Sequence, residues 1–391
     1  MMEPGPPAEM RDRARALLPR IAASADETER ERRLPEPLVA ALIEAGLFRL
    51  LLPRALGGAE VDPVTFVEII EAIASADGST AWVLCQTAGT SMSAAYLLPR
   101  VAGEIFGPPR GLLAWGPGAG AHARAADGGY RISGTFSFAS GCRHAAWLGA
   151  HCTVVEPDGT PRRRDDGTVD SRTMIFPAAS AAVMDVWDVI GLRGTGSDAY
   201  AVKDLFVPDD FTVVRDEPAE RRHPGALYCF RSLSLFAAGF AGVALGIART
   251  MMSEFVVLAA GKVPRGFSTT LRENAVVQSQ IARAEARLRS ARALLMSSVE
   301  ESWQDVGRLG ELTLERRIAI RLASTHAILQ AKAAADAIYH LAGSAAIFAG
   351  GAFERRFRDL HAVTQQMQGR QSHFETVGRH LLGLEPDTTW L

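Results

Sequence analysis

The sequence changes its hydrophobic period twice, and these two changes constrain the fold more than any other feature. Apolar residues recur at helical spacing over residues 35–98, form short β-rich runs divided by turn residues over about 111–208, and return to helical spacing after residue 224. Spacings of three and four indicate a buried helix face, whereas alternation indicates a half-buried strand. The order predicts an α+β protein in which a β-domain divides two helical parts.

Domain boundaries placed at these two changes predict three domains. They are an N-terminal helical domain (1–110), a central antiparallel β-barrel or sandwich (111–222) and a C-terminal four-helix bundle (223–391). Asp62 and Pro63 are a good N-cap and first-turn pair for a helix. The predicted strands are 130–138, 147–155, 173–176, 183–190 and 200–207. The predicted C-terminal helices are about 232–260, 272–302, 312–343 and 353–384, the last with a break near Gly369, and the second carries a bundle seam at Val277, Ile281, Ala284, Leu288, Ala291 and Leu295.

The segment from Gly129 to Val155 is the centre of the predicted β-domain. Its first strand alternates apolar and polar residues as far as Phe138, and its second strand is apolar throughout. Between them, Ser140 and Gly141 open a small polar corner. A hydroxyl and free backbone N–H groups beside an aromatic face suit a planar heterocycle with hydrogen-bonding edges, such as a flavin. An ordinary turn between two strands is the alternative.

Composition excludes several classes of partner. The 391 residues are 48% hydrophobic and 22% charged with a net charge of −2, which leaves no basic field for nucleic acid or for an anionic membrane. The four cysteines show no CxxC spacing, so neither a metal site nor a disulfide framework is indicated, and a reducing compartment is favoured. The first 30 residues are rich in Arg and Glu without a secretory signal, so we expect a cytoplasmic protein.

The longest apolar run, Leu235–Ala248, also argues against a membrane protein. It falls short of the roughly 18 residues that span a bilayer. It contains Gly239, Gly242 and Gly246, which predict a buried helix whose neighbours approach closely.

Four motifs follow one another along the chain. They are GGYRISG at 128–134, FASGCRHAAW at 138–147, GLRGTGS at 191–197 leading to Phe206-Val207-Pro208, and RRFRDL at 355–360. In this order they resemble the acyl-CoA dehydrogenase superfamily over nearly the whole chain, and within it the two-component flavin-dependent monooxygenases. That resemblance implies helical, β and helical domains, a homotetramer, and reduced FMN or FAD supplied by a separate reductase. It further implies that O2 reacts as a flavin C4a-(hydro)peroxide to oxygenate a hydrophobic, aromatic or polycyclic small molecule.

Departures from the dehydrogenase pattern support the monooxygenase branch. The segment 115–122 replaces the T-E-P-x-x-G-S-D motif of the dehydrogenases, with Ala121 and His122 in the places of Ser and Asp. The two positions that match their proton-abstracting carboxylate are Met367 and Phe236, and neither side chain accepts a proton near pH 7. Dehydrogenation of a CoA thioester is therefore disfavoured. The alternatives are a dehydrogenase-like flavoenzyme acting on a carrier-bound or non-CoA substrate, and a binding protein that has lost redox chemistry.

The resemblance also assigns the flavin-binding residues. Ser140 is expected to bond the flavin N5 or the oxygen adduct on the adjacent carbon, and its alternative is a serine bonded only to its own turn. Arg265 is expected to reach the flavin phosphate of a neighbouring subunit, although Pro264 stands where the dehydrogenases have the Arg of R-x-x-F-G, which weakens the case for a tightly held FAD. The other expected contacts are Trp115, Phe138, Gly141, Thr195 and Ser197, the last two at the ring edge or phosphate or merely in a β-turn.

Two residues are assigned to the substrate side. His122 is expected to be the acid or base toward substrate, with a solvent-exposed loop histidine as the alternative. Gln366 takes the place of a histidine found in many flavin hydroxylases, and an amide cannot titrate. His144, for which backbone capping is the preferred interpretation, and His361 are the other candidates for acid–base chemistry.

Overall fold

The structure is a computed structural model that describes residues 5–391. Its N-terminal part contains only helices: α1 (Pro7–Glu31), α2 (Glu36–Glu44), α3 (Pro63–Ala76), α4 (Gly78–Ser91) and α5 (Pro99–Phe106). Asp62 caps α3 as predicted, because its carboxylate accepts the Thr65 N–H at 2.9 Å. Helix α1 lies before the predicted helical region. It is mostly polar, and it buries a narrow stripe that includes Met10 and Ile21.

The β-domain is one sheet of eight strands: β1 (Leu113–Gly116), β2 (His122–Ala126), β3 (Gly129–Ala139), β4 (Trp147–Val155), β5 (Ser171–Pro177), β6 (Ala182–Met184), β7 (Asp198–Pro208) and β8 (Thr212–Val213). Their order is β6-β7-β3-β2-β4-β5-β8, with β1 beside β4. The prediction of an antiparallel barrel is wrong in two respects. Strands β1 and β2 both pair with β4 in parallel, and the short edge strands β6 and β8 do not pair with each other, so the sheet stays open.

The predicted strand 183–190 is confirmed only at its start. After β6 the chain leaves the sheet, because Asp198 supplies an acceptor in place of a neighbouring strand. Its buried carboxylate accepts the N–H groups of Val186 and Trp187, each at 3.0 Å. The apolar run at 186–190 therefore lies on the surface, with Val186 and Ile190 exposed.

The C-terminal part consists of three long helices, α6 (Ser232–Gly261), α7 (Ala275–Leu309) and α8 (Leu314–Ala342), and two short ones, α9 (Glu354–Gln365) and α10 (His373–Leu381). The break near Gly369 is confirmed, since a single 3₁₀ turn at Met367–Gly369 separates the short helices. The α7 seam is confirmed too: its members are buried except Ile281, which is partly buried. The predicted four-helix bundle is not confirmed, because the fourth helix is divided and α3 also packs along α6.

Helix α6 is the central element of the helical core. It is long and apolar enough to cross a membrane, but most of its residues are buried by other parts of the chain, as in the core helix of a globular protein. Its glycines allow the close approach that the sequence indicates. A Cβ at Gly239 would lie 2.5 Å from the Cys85 sulfur, and one at Gly246 would overlap the backbone of Glu71.

The helices of both chain ends share one hydrophobic core, whereas the sheet has a second core of its own. The sheet core includes Ile132, Phe136 and Tyr200. Trp115, on β1, belongs instead to the helical core and so marks the boundary between the two layers. The domain limits at 110 and 222 stay a prediction.

Candidate active site

The corner after β3 is built on a strained residue. Phe138 has a positive φ of 58° and lies in a register shift between β3 and β7. A left-handed conformation is unfavourable for an aromatic residue and costs on the order of 1–3 kcal/mol, so it persists only where the surroundings impose it. The conformation turns the side chain outward: 65% of Phe138 is exposed, and its ring meets Trp187 edge-on at 6.0 Å. The corner therefore presents an aromatic side chain at the surface.

Behind Phe138, buried hydroxyl groups form a continuous hydrogen-bonded chain, here called the hydroxyl chain (Ser140, Ser197 and Thr195). Trp82 Nε1 on α4 donates to Ser140 Oγ at 3.0 Å. The Ser140 and Ser197 hydroxyl oxygens are 2.7 Å apart, as are those of Ser197 and Thr195. Thr195 Oγ1 donates to the Leu192 carbonyl oxygen at 2.8 Å. The chain thus runs from an indole donor to a carbonyl acceptor.

The two ends of the hydroxyl chain set its direction. An indole N–H can only donate and a carbonyl oxygen can only accept. With Thr195 donating to Leu192, Ser197 donates to Thr195 and Ser140 donates to Ser197. In this arrangement the Ser140 hydroxyl has no hydrogen left to donate to a ligand. Its remaining lone pair can still accept a hydrogen bond from a ligand. The corner is therefore complementary to a ligand that carries an N–H group.

Aromatic residues on two helices close the space behind the corner. The Trp82 ring stacks on Phe240 of α6 with centroids 3.9 Å apart, and Phe236 stacks on Phe240 in turn. Gly89 on α4 has no room for a Cβ, because the Phe236 ring occupies that position. Phe236, one of the two positions that would match a dehydrogenase base, is thus part of an apolar wall.

The structure brings most of the predicted flavin residues together. Gly141 follows Ser140 with φ 73°, and its N–H donates to the Thr195 carbonyl at 2.9 Å. Trp115 is close by, because β1 runs beside the end of β3. The Ser137 N–H donates to the Pro117 carbonyl at 3.0 Å, and a Cβ on Gly116 would overlap the Ser137 carbonyl.

Three other predicted residues form no hydrogen bond or ring contact with this group in residues 5–391. His122 is exposed at the start of β2, in a surface depression of about 470 Å³ that also contains Arg124, Arg131 and Asp158. Gln366 follows the last turn of α9, and its side chain accepts the Gln368 N–H at 2.7 Å. Their roles remain predictions.

Arg265 lies far from the corner of its own chain. It is exposed in the loop after α6. From Phe240, which stacks on Trp82, α6 continues to Gly261, and at about 1.5 Å per residue this is roughly 30 Å of helix. Arg265 therefore does not reach the corner of its own chain.

Two further histidines were candidates for acid–base chemistry. His144 is largely buried, and burial lowers its pKa to about 4, so its ring is neutral at pH 7. Its Nε2 has no hydrogen-bond partner among the described residues. His361 lies on α9, where its Nε2 is 2.9 Å from an Asp336 carboxylate oxygen and its ring packs on Phe357.

A buried carboxyl group connects the RRFRDL motif with the loop that carries Thr195. Asp359 accepts the Leu192 N–H at 2.6 Å. Burial and the nearby Asp77 carboxyl raise the pKa of Asp359 to about 7. Asp359 was not singled out from the sequence, although its motif was, because an Arg-Asp pair ordinarily indicates a surface ion pair.

The sequence analysis also missed a polar group beside Trp115. Arg215, in the loop after β8, lies over the Trp115 ring with its guanidinium carbon 4.6 Å from the centroid. Its Nε donates to Thr173 Oγ1 at 3.1 Å, and that oxygen is 2.8 Å from His151 Nδ1. No spacing in the sequence relates these residues, since they come from a loop and three different strands. Within residues 5–391, no group of three or more His, Cys, Asp or Glu side chains is placed to hold a metal ion.

Comparison with known proteins agrees with this geometry. The family described as "Acyl-CoA dehydrogenase, N-terminal domain" matches residues 8–100, and "Acyl-CoA dehydrogenase, C-terminal domain" matches residues 238–369. An indole-3-acetate monooxygenase of Pseudomonas putida is 31% identical, over 96% of this chain and 92% of that protein. The flavin-dependent monooxygenase oxygenase subunit HsaA of Rhodococcus jostii is 29% identical, over 89% and 91%. The crystal structure of the HsaA monooxygenase from M. tuberculosis is 26% identical with a TM-score of 0.90, and the match covers 99% of this chain and 100% of that one.

By fold, the chain is an acyl-CoA dehydrogenase-like protein. Within that fold it belongs to the family of flavin-dependent monooxygenase oxygenase subunits. The resemblance inferred from the four motifs is therefore confirmed.

Proposed function

We propose that this protein is the oxygenase component of a two-component monooxygenase, which takes reduced FMN or FAD and O2 and oxygenates a hydrophobic aromatic substrate. The observation that carries the proposal is the corner formed by the exposed, strained Phe138 and the hydroxyl chain. Flavin, when bound, supplies the chemistry that activates O2. The residues of this chain orient the flavin ring, keep water away from it and hold hydrogen bonds to it.

The corner fits a flavin in its reduced state. Reduced flavin carries a hydrogen on N5, whereas oxidised flavin has only an acceptor there. Ser140, which in the arrangement above can accept but not donate, complements the reduced form. We therefore assign Ser140 to the ring N5, with Phe138, Gly141, Thr195, Ser197 and Trp115 around it, and keep Arg265 as a contact to the flavin of a neighbouring subunit.

The substrate class follows from the relatives and from the apolar wall. One relative acts on indole-3-acetate, an aromatic acid. The wall of Trp82, Phe236 and Phe240 excludes water behind the corner, as a site for an aromatic ring requires. On the substrate side we keep His122 as the acid or base and Gln366 as a hydrogen-bonding residue.

The proposal includes two protein partners. The relatives named as oxygenase subunits support a separate reductase that supplies the reduced flavin. Exposed apolar residues around the end of α6 and at the end of α10 support a homotetramer; they are Val256, Val257, Val263, Phe267, Leu381 and Leu382. Four unpaired cysteines support a cytoplasmic location.

An isotope experiment tests the function. The purified protein is mixed with FMN or FAD, a flavin reductase, NADH and indole-3-acetate under ¹⁸O2. We expect one labelled oxygen atom in the organic product by mass spectrometry, and only H2O2 when the protein is omitted. Reduction of bound flavin by acyl-CoA thioesters, or no binding of reduced flavin at all, would contradict the proposal in favour of a dehydrogenase or a binding protein.

A further inference from the structure

Arg215 carries a positive charge that is compensated only partly in the described part of the chain, by the field of the Asp216 carboxylate. Of residues 5–391, none forms an ion pair with it, and its one hydrogen bond is the bond from Nε to the neutral Thr173 hydroxyl. The side chain is only partly exposed, and burial lowers the pKa of its guanidinium. Because an unpaired charge away from bulk water is unfavourable, such an arginine is typically kept to bind an anion.

The nearest carboxylate in the sequence is directed elsewhere. Asp216 has a positive φ of 62°, and its carboxylate acts on the Arg215 guanidinium only through space, without a hydrogen bond. Its two oxygens accept the Ser232 N–H at 2.8 Å and the Ser232 hydroxyl at 2.7 Å, at the beginning of α6. Asp216 therefore stabilises the start of the helix and leaves the Arg215 guanidinium without a hydrogen-bonded carboxylate.

The surroundings hold Arg215 in one orientation. Its guanidinium lies over the Trp115 ring, and Trp115 meets the His151 ring edge-on at 5.1 Å. The pKa of His151 is well below its ordinary value, first because of burial and then because of the Arg215 charge, so His151 is neutral. Arg215 is thus the cation of this group, fixed by Thr173 and Trp115, with its two terminal nitrogens available to donate.

The group formed by Arg215, Trp115, Thr173 and His151 lies next to the corner. Trp115 directly precedes Gly116, whose backbone packs on Ser137 and Ala139 at the end of β3, next to Phe138 and Ser140. Gly149 on β4 leaves room for Trp115 and Thr173 on this face of the sheet, because a Cβ at position 149 would press on both side chains. Arg215 therefore lies beside the proposed flavin site, on the sheet face that meets the helical core.

We infer that Arg215 binds a carboxylate group of the substrate, so that the enzyme selects aromatic acids over neutral aromatics. The inference rests on the proposed function in that the bound acid is the molecule that is oxygenated. Trp115 and Thr173 are positioning residues, since they act through Arg215. A second source of an anionic group is the phosphate of FMN, and the experiment separates the two.

Binding is measured by titration calorimetry on the flavin-free protein with indole-3-acetate and with its neutral amide. In Arg215→Met we expect the Kd for the acid to rise about 10- to 100-fold, as for loss of a charge-assisted bidentate contact, and the Kd for the amide to change less than about twofold. For Arg215→Lys we expect a Kd for the acid between those of the parent and of Arg215→Met, because lysine keeps the charge but not the planar fork. Arg162→Met, which removes an arginine paired with Glu156 in the same domain, is the matched control and should bind the acid like the parent.

Three outcomes overturn the inference: equal losses for acid and amide, no loss for either, or weaker FMN binding with unchanged binding of the acid. Thermal unfolding of each variant shows that it is folded. The readout is independent of the proposed function. If the protein oxygenates an aromatic substrate but binding of the acid does not depend on Arg215, only the inference is refuted. If binding of the acid depends on Arg215 but no labelled oxygen enters a product, only the proposed function is refuted.

Discussion

Single residues hold the corner in its shape. Ser140 lies between a buried donor, Trp82, and a buried acceptor, Ser197, so its hydroxyl supports the fold beside the proposed flavin site. Removing the hydroxyl leaves the indole N–H without a partner inside the protein, which costs about 1–3 kcal/mol.

We therefore expect Ser140→Ala to lower the free energy of unfolding by about 1–3 kcal/mol. It should also weaken binding of reduced flavin more than binding of oxidised flavin and raise H2O2 release per NADH consumed. In Trp82→Phe the indole donor is absent, so adding Ser140→Ala to that variant should cost less than it does in the parent. Chemical denaturation of the four proteins measures this coupling. Purely additive effects would show that the Trp82–Ser140 bond contributes nothing.

His122 is the residue that we expect to act as acid or base toward the substrate. His122→Ala should leave flavin binding intact and slow oxygenation by about 10²–10⁴-fold, the usual contribution of general acid–base catalysis. Single-turnover kinetics with the reduced enzyme measures the step. A parent-like rate would instead point to His151, which lies on the same sheet face, two residues along β4 from Thr153, the register partner of His122.

At the scale of elements, the bond from Leu192 to Asp359 holds α9 against the loop of the hydroxyl chain. The pKa of Asp359 is raised from 3.8 to about 7 by burial and by Asp77, with Glu29 adding to the rise and Arg358 opposing it. Between these two pH values the folded protein keeps a proton that the unfolded chain has lost. The contribution of Asp359 to stability is therefore greatest at low pH and declines as pH rises from about 4 to 7.

Asp359→Asn should remove this decline, because an amide keeps the acceptor oxygen for Leu192 and does not ionise. We expect the variant to be more stable than the parent at pH 8 and its unfolding free energy to depend less on pH between 5 and 7. Asp26→Asn is the control: this exposed carboxylate pairs with Arg355, which lowers its pKa, so its loss should not stabilise the protein at pH 8. Parallel pH profiles for parent and Asp359→Asn would contradict the assignment.

The glycines of α6 give a second prediction at this scale. Alanine is ordinarily favoured over glycine inside a helix by about 1 kcal/mol. At Gly246 a Cβ would overlap the Glu71 backbone, so Gly246→Ala should destabilise the protein. At Gly307, near the end of α7, a Cβ meets nothing within 4 Å, so Gly307→Ala should be neutral or stabilising. Thermal unfolding of both variants compares them, and equal shifts in Tm would show that α3 does not pack tightly on α6.

For the whole molecule, the shared core of the N- and C-terminal helices makes the two ends one structural body around α6. The apolar residues left exposed around the end of α6 are close in the chain to Arg265, which lies far from its own corner. A neighbouring subunit that covers them would bring Arg265 to a second flavin site.

We therefore expect a homotetramer in solution, measured by light scattering at micromolar concentration. Val257→Glu combined with Phe267→Glu should shift the protein to smaller species, because charges would be buried at the interface. It should also weaken flavin binding, since Arg265 would lose its position. A parent protein that scatters as a monomer would refute the assembly.

The sequence by itself determined the order of helical, β and helical parts, the main helices and strands, and the Ser140 corner. These depend on local period, capping and turn chemistry, such as the Asp62 cap and the glycines that α3 and α4 approach. The four motifs, taken in their order along the chain, were enough to name the family.

Only the tertiary structure decided which side chains meet. The open sheet depends on the pairing of β1 and β2 with β4, and the end of β6 depends on Asp198, far along the chain. Trp82 reaches Ser140 from helix α4, and Arg215 meets Trp115, Thr173 and His151 from a separate loop. Such contacts join residues that no period or motif relates, because burial and hydrogen bonding are set by distances in space and leave no spacing in the sequence.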